Sequence, residues 1–201
     1  MIDIVFPQRN EKEIAEMAER LGYDSLIFVY DHKDKINLPK TKLKALSCLL
    51  VDQKQVQKNR KNADFVFVKA TGEDRPAIEH AKPDGMFGFE TTQKYDKLHE
   101  RASGLNHILC ALAAKNKITI IFDFGSLLNT SGTLRAQILG RMSQNIALCR
   151  KYKVSTAIAS FAQSPVEMRS PHDLAALFTV IGMHPLEAKN SLASLAQKAP
   201  K

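Results

Sequence analysis

Asp31 and His32, Lys69, Glu90, Asp123, and Ser160 with Gln163 stand where apolar runs give way to loops. In barrels built from parallel strands, that is where catalytic groups sit. A metal-dependent hydrolase would need several His and carboxylate ligands converging on one ion. None of the six histidines forms a His-x-His or His-x-x-His pair. Lys69, closing Phe65-Val-Phe-Val-Lys69, is a candidate Schiff-base amine for an aldolase-like lyase. A strand-end lysine is more often a rim cation. Asp123 follows Ile118-Thr-Ile-Ile-Phe122 and either caps a loop or pairs with Lys69, the ion pair being the reading preferred. No Gly-x-Ser-x-Gly elbow marks a serine hydrolase. Two enzymatic readings stay open, a metal-dependent phosphoesterase and a Schiff-base lyase.

Two segments suit anions better than catalysis. In Glu100-Arg-Ala-Ser-Gly-Leu-Asn-His107, Ser103 is expected to cap a helix with Leu105, Ile108, Leu109 and Leu112 on its apolar face. Arg101, Asn106 and His107 are then left near an N-terminus that favours negative charge. In Met168-Arg-Ser-Pro-His-Asp-Leu174, Ser170 as cap, Pro171 at the first helical position and Asp173 in the first turn signal a helix start. Capping leaves Arg169 unexplained, and its planar fork fits a phosphate.

The elements that must hold these residues alternate along the chain. Strands are predicted at 2–6, 24–30, 43–51, 64–69, 84–89, 117–124 and 154–160. Helices are predicted at 11–21, with Asn10 as cap, and at 52–60, 74–81, 104–116, 132–152, 171–182 and 185–198. The 132–152 helix is expected to bury Leu134, Ile138, Met142, Ile146 and Cys149. The strands are apolar without strict alternation, as in sheets covered on both faces. The fold expected is α/β: one domain over 1–201, a TIM-like barrel of about seven parallel strands with surrounding helices. No phosphate-binding glycine motif favours an open nucleotide-binding sheet. The segment around Leu186, Leu192 and Leu195 is read as an outer barrel helix.

A hydrophobic fraction of 44% can fill a core, and a net charge of +8 favours polyanionic partners. The charge is uneven. Residues 1–32 hold three basic and seven acidic side chains, residues 33–69 ten and three, and residues 124–201 nine and three. One reading is a solvated lysine-rich surface. The other is a phosphate-binding face built from Lys40, Lys42, Lys44, Lys58, Arg60 and Lys61, with Lys151 and Lys153 nearby. Cys48, Cys110 and Cys149 are too scattered for a zinc site or a disulfide framework and read as buried hydrophobes. The opening Met1-Ile-Asp-Ile-Val-Phe6 leaves no room for a signal peptide, and no apolar run approaches a membrane span. A cytoplasmic protein without membrane contact is expected.

Arg169-Ser-Pro-His-Asp-Leu174, followed by an apolar helix ending in Ile181-Gly-Met, resembles the most specific motif of the ribonuclease P protein component 3 family. Ser103-Gly-Leu-Asn-His107, the strand 118–124 and Gly125-Ser-Leu-Leu128 are similar to its central block, and the likeness extends over essentially the whole chain. The resemblance implies a TIM-like barrel related to the metallophosphoesterase barrels but lacking their metal site. The first strand, Ile-Asp-Ile-Val-Phe-Pro, agrees: the related phosphoesterases carry His-x-His there. It further implies a non-catalytic, RNA-binding subunit of ribonuclease P, which removes the 5′ leader of precursor tRNA. Implied partners are the catalytic RNA and a second small protein subunit, two copies of each, with precursor tRNA met indirectly. No cofactor is expected on this chain, because the Mg²⁺ belongs to the RNA. By motif, Arg101, His107, Arg169 and Ser170 are candidate RNA contacts. Lys61, Lys82, Lys151 and Lys189 are added on charge alone. Phe124 is expected to pack in the core and is given no role.

Overall fold

The apolar runs become seven parallel strands: β1 (Ile2–Val5), β2 (Ser25–Asp31), β3 (Lys44–Leu50), β4 (Phe65–Lys69), β5 (Gly85–Phe87), β6 (Thr119–Asp123) and β7 (Thr156–Ala159). The computed structural model describes residues 1–199. Neighbours in the sheet are neighbours in sequence, β1 to β7 in order and all parallel. The sheet curls until its edges meet. Phe6 N–H donates to Ala162 O and Phe161 N–H to Ile4 O, both at 2.9 Å. Where β1 and β7 do not pair directly, the Asp3 carboxylate fills the seam, accepting from Ser160 N–H at 2.7 Å and Ile4 N–H at 2.8 Å. This is the barrel the alternating pattern predicts.

Strand periodicity of two sorts the side chains into two cores. Ile2, Ile4, Ile27, Val29, Leu46, Cys48, Phe65, Phe67, Ile121 and Ala159 fill the barrel interior. The alternate residues, among them Val5, Leu26, Phe28, Val66, Met86, Ile120, Phe122 and Ile158, pack outward against the helices. Burial on both sides explains why β2 reads as one continuous apolar run.

The helices are α1 (Glu11–Leu21), α2 (Val56–Asn59), α3 (His107–Lys115), α4 (Phe124–Leu128), α5 (Gly132–Tyr152), α6 (Pro171–Ile181), α7 (Pro185–Ser191) and α8 (Ser194–Lys198). α5 has the predicted bounds, and its buried stripe runs from Ile138 through Met142 and Ile146 to Cys149. Leu134 lies outside that stripe and is exposed. Several local expectations fail. Asn10 does not cap α1: its side chain accepts from Gln8 N–H and donates to Gln163 O instead. Asn106, not Ser103, caps α3, accepting from Leu109 N–H at 2.9 Å, and Ile108 faces solvent. The 52–60 segment divides into a 3₁₀ turn and α2, and 74–81 contributes a π-helical turn, Ala77–Ala81.

The largest correction is at the C-terminal end. The single helix predicted at 185–198 breaks into α7 and α8. α8 does not lie on the outside: Leu195, fully buried, enters the interior cluster. Ser194 Oγ donates to Thr156 O at 2.7 Å, and Lys198 Nζ to Lys117 O at 2.9 Å. These partners precede or begin β6 and β7, so α8 plugs the end where the strands start. Among the described residues, no helix is long and apolar enough to cross a membrane. The three cysteines are buried and free.

Candidate nucleic-acid interface

At the opposite end, where the strands finish, three phenylalanine rings fill the mouth. Phe6 follows β1, Phe87 ends β5 and Phe161 follows β7. Ring centroids lie 5.1 Å apart for Phe6 and Phe161, 4.6 Å for Phe87 and Phe161, and 6.0 Å for Phe6 and Phe87. Phe161 takes a left-handed φ of 47°, a conformation costly for an L-residue with a large side chain.

The polar groups around this mouth have structural employment. Asp123 Oδ1 accepts from Ser126 N–H at 3.0 Å and caps α4; it forms no ion pair with Lys69, correcting the preferred reading. Burial pushes its carboxyl up to about 6, against those hydrogen bonds and the Lys69 charge. Glu90 is buried and pushed up to about 7, chiefly by desolvation, while Asn145 Nδ2 donates to it at 2.7 Å. Ser160 serves the Asp3 seam, and Gln163 N–H donates to Glu167. His32 Nδ1 lies 2.9 Å from Asp31, lining a cavity of about 590 Å³ that also holds Asp52, Lys69 and Asp74. Lys69 ends β4 with its side chain exposed. Among the described residues, no three His, Cys, Asp or Glu side chains converge as a metal ion requires. The donor set does not fit a metal centre.

The central motif is pinned to α5 by two residues that sequence reasoning missed. Arg141 is completely buried, donating to Asp96 Oδ1 at 2.8 Å, Glu90 O at 2.8 Å and Gln93 O at 2.7 Å. Burial raises the Asp96 carboxyl, but donation from Ala102 N–H and Arg141 outweighs it and holds Asp96 below its ordinary range. Asn145 Nδ2 donates to Ser103 O at 2.8 Å. Both fall on the i, i+4, i+7 stripe with Ile138, Met142 and Cys149, and a charge on that stripe was the available signal. The frame leaves Arg101 exposed on the surface of α5. Its Nη1 donates to Gly140 O at 3.3 Å, and a Cβ at Gly140 would meet its Nε at 3.2 Å. His107 is the exposed first residue of α3.

Ser170 caps α6 as predicted, accepting from Asp173 N–H at 3.1 Å. Arg169 is held just before it. Nη1 donates to Met168 O at 2.7 Å and Val166 O at 3.0 Å, and the guanidinium lies 5.6 Å over the Phe124 ring. Phe124 is half-buried and packs against the outer core, as expected, with this cation over its ring. Lys189 lines the same apolar hollow as Ser170 and Pro171.

Lys61 and Lys82 are exposed and belong to segments drawn together at the start of β4 and β5, where Gln57 Nε2 donates to Ala81 O and Arg60 Nη2 to Lys82 O. Lys151 is exposed near the end of α5, with its ammonium 5.8 Å over the Tyr152 ring. Lys40 and Lys42 do not join this group; their loop binds α1, where Thr41 Oγ1 and Lys42 N–H donate to Glu19. The structure therefore divides the predicted cations: Arg101 with His107 by the central motif, Arg169 with Ser170 and Lys189, and the lysines at the strand starts.

Fold and surface together define a class: a parallel α/β barrel with aromatic rings packed into its mouth, a helix closing the strand-start end and a cationic exterior. The chain belongs to the RNase P subunit p30 family, whose sequence pattern matches residues 2–199. It is 28% identical to ribonuclease P protein component 3 of Methanosarcina mazei over 205 residues, covering 94% of this chain and 82% of that protein. The corresponding Thermococcus kodakarensis protein is 42% identical over 89 residues, covering 44% of this chain and 40% of that protein. In structure the chain resembles one from the cryo-EM structure of archaeal ribonuclease P with mature tRNA (TM-score 0.80, 23% identity, 98% and 89% coverage). It is also similar to histidinol phosphate phosphatase from Lactococcus lactis (TM-score 0.56, 10% identity, 91% and 94% coverage). The kinship with phosphatase barrels is one of fold.

Proposed function

We propose that this chain acts as a non-catalytic protein subunit of ribonuclease P, binding the catalytic RNA while that RNA removes the 5′ leader of precursor tRNA. The observation that carries the division of labour is the aromatic plug. Barrel enzymes work where their strands end, and here Phe6, Phe87 and Phe161 occupy the β1, β5 and β7 side of that space, while the cavity at the ends of β2, β3 and β4 brings no three metal-ligating side chains together among the described residues. What remains for function is a rigid body with fixed cations. Folded RNA crowds phosphates together, and cations held on a scaffold lower that repulsion and the Mg²⁺ the RNA requires. Arg101, His107, Arg169 and Ser170 are the contacts proposed by motif; Lys61, Lys82, Lys151 and Lys189 add charge. A second small protein subunit, in a two-plus-two assembly, completes the protein partners, and the setting is the cytoplasm.

The test is reconstitution. Ribonuclease P RNA with this chain and its protein partner should cleave precursor tRNA at an Mg²⁺ concentration where the RNA alone is inactive. Cleavage by the isolated chain, or binding to the RNA that ignores salt, overturns the reading.

A further inference from the structure

Three lysines adopt the left-handed backbone conformation at equivalent places. Lys82, Lys117 and Lys153 have φ of 53°, 57° and 55°. Each closes the helical segment that precedes a strand: Lys82 the π-helical turn before β5, Lys117 the end of α3 before β6, Lys153 the end of α5 before β7. A glycine or asparagine adopts this conformation at lower cost. The fold itself accepts glycine at such a turn, because Gly22, between α1 and β2, has φ 83° and sits in the acidic first part of the chain. All three lysine side chains are exposed, and none forms an ion pair within 4 Å among the described residues. Neither packing nor pairing accounts for them.

Their surroundings point the same way. Helix C-termini present carbonyls and a partial negative charge, which should repel phosphate from this end. Here those carbonyls are covered by cations. Arg60 donates to Lys82 O, Lys198 to Lys117 O, and Arg150 to Gly182 O at the end of α6. The opposite rim carries Asp31, Asp52, Asp74 and Asp123 beside His32 and Lys69, whereas on the strand-start rim Asp64 accepts from Ser47 N–H and Asp84 is taken up by Val66 N–H and the Arg60 guanidinium.

We infer that the rim where β5, β6 and β7 begin is a phosphate-binding face, on which Lys82, Lys117 and Lys153 grip the backbone of the ribonuclease P RNA. The inference rests on the proposed role as an RNA-binding subunit and adds a further face to the motif contacts: the strand-start end, away from the mouth where barrel enzymes react. The strain is present in every folded molecule, with or without RNA. That suits a partner kept for the life of the assembly rather than a substrate released at each turnover.

The decisive variant is the triple change Lys82→Gly, Lys117→Gly, Lys153→Gly, because glycine relieves strain while removing charge. Its thermal midpoint should equal or exceed that of the parent. Binding to end-labelled ribonuclease P RNA should weaken about tenfold or more near 0.15 M salt, and the slope of log K against log salt should fall by about 2. The Lys→Arg triple should bind like the parent. If the parent binds with steep salt dependence and the glycine triple binds identically, the face is wrong and the subunit role stands. A loss confined to precursor tRNA, or to the protein partner, also overturns the face. Should the parent itself show no salt-dependent binding, the subunit role fails first.

Discussion

Glu90 and Asp3 are carboxyls that burial keeps protonated well above their ordinary range, Glu90 to about 7 and Asp3 to about 6. Each has another purpose: Glu90 receives the Asn145 amide that ties the central motif to α5, and Asp3 closes the barrel seam. The folded chain thus holds protons that the unfolded chain has already released. Stability should fall as pH rises from about 4.5 to 7 through Glu90, and stay level above that. Glu90→Gln keeps the acceptor for Asn145 and removes the ionisation. The variant should gain on the order of 2–3 kcal/mol over the parent at pH 8 and nothing near pH 4.5, as read by denaturant unfolding at the two pH values. An equal effect at both would mean Glu90 does not titrate in the folded state. Glu90 was legible as a strand-end polar residue, but its burial was not, and Asp3 lay unremarked inside the first strand: only the packed structure says which carboxyls water reaches.

Among the elements, reach along the chain governs what could be foreseen. α5 has its predicted bounds because twenty-one residues of helical periodicity average out local exceptions. α8, with five residues, carries no such average, and its position depends on a cavity formed by other strands. Leu195 fills that cavity, so Leu195→Ala should cost about 2–5 kcal/mol. Ser170→Ala, which removes one cap from α6, should cost only about 1 kcal/mol. Urea denaturation ranks the two. A Leu195 variant less damaged than the Ser170 variant would mean that α8 does not close the barrel. The α3 cap moved from Ser103 to Asn106 for a similar reason. Ser103 is drawn into the Gln144 and Asn145 contacts on α5, leaving the cap to the next suitable side chain.

For the whole molecule, electrostatics is the measurable property. Arg101 and Arg169 sit on separate surfaces, each with part of its guanidinium held by backbone carbonyls. Replacing both with alanine should weaken binding to ribonuclease P RNA and lower the log–log salt slope by about 1–2, without changing the fold's stability much. Gly140→Ala probes the same site while keeping the charge, because the added methyl meets Arg101 Nε at 3.2 Å and shifts the fork by about a few tenths of an ångström. It should weaken RNA binding while leaving the salt slope near the parent's. A slope that is unchanged in the double alanine variant would remove both arginines from the interface.

The sequence alone determined the barrel, the order and nearly all the bounds of its long elements, and the cationic surplus. Element order and charge follow from periodicity and composition, which are properties of the chain read in order, while closure into a barrel is what the family resemblance implies. The tertiary structure decided what fills the two ends, which carboxyls keep their protons, and which lysines share a rim. Those are facts about residues distant in sequence, and they exist only once seven strands close and bring Phe6 to Phe161, or Lys198 to Lys117.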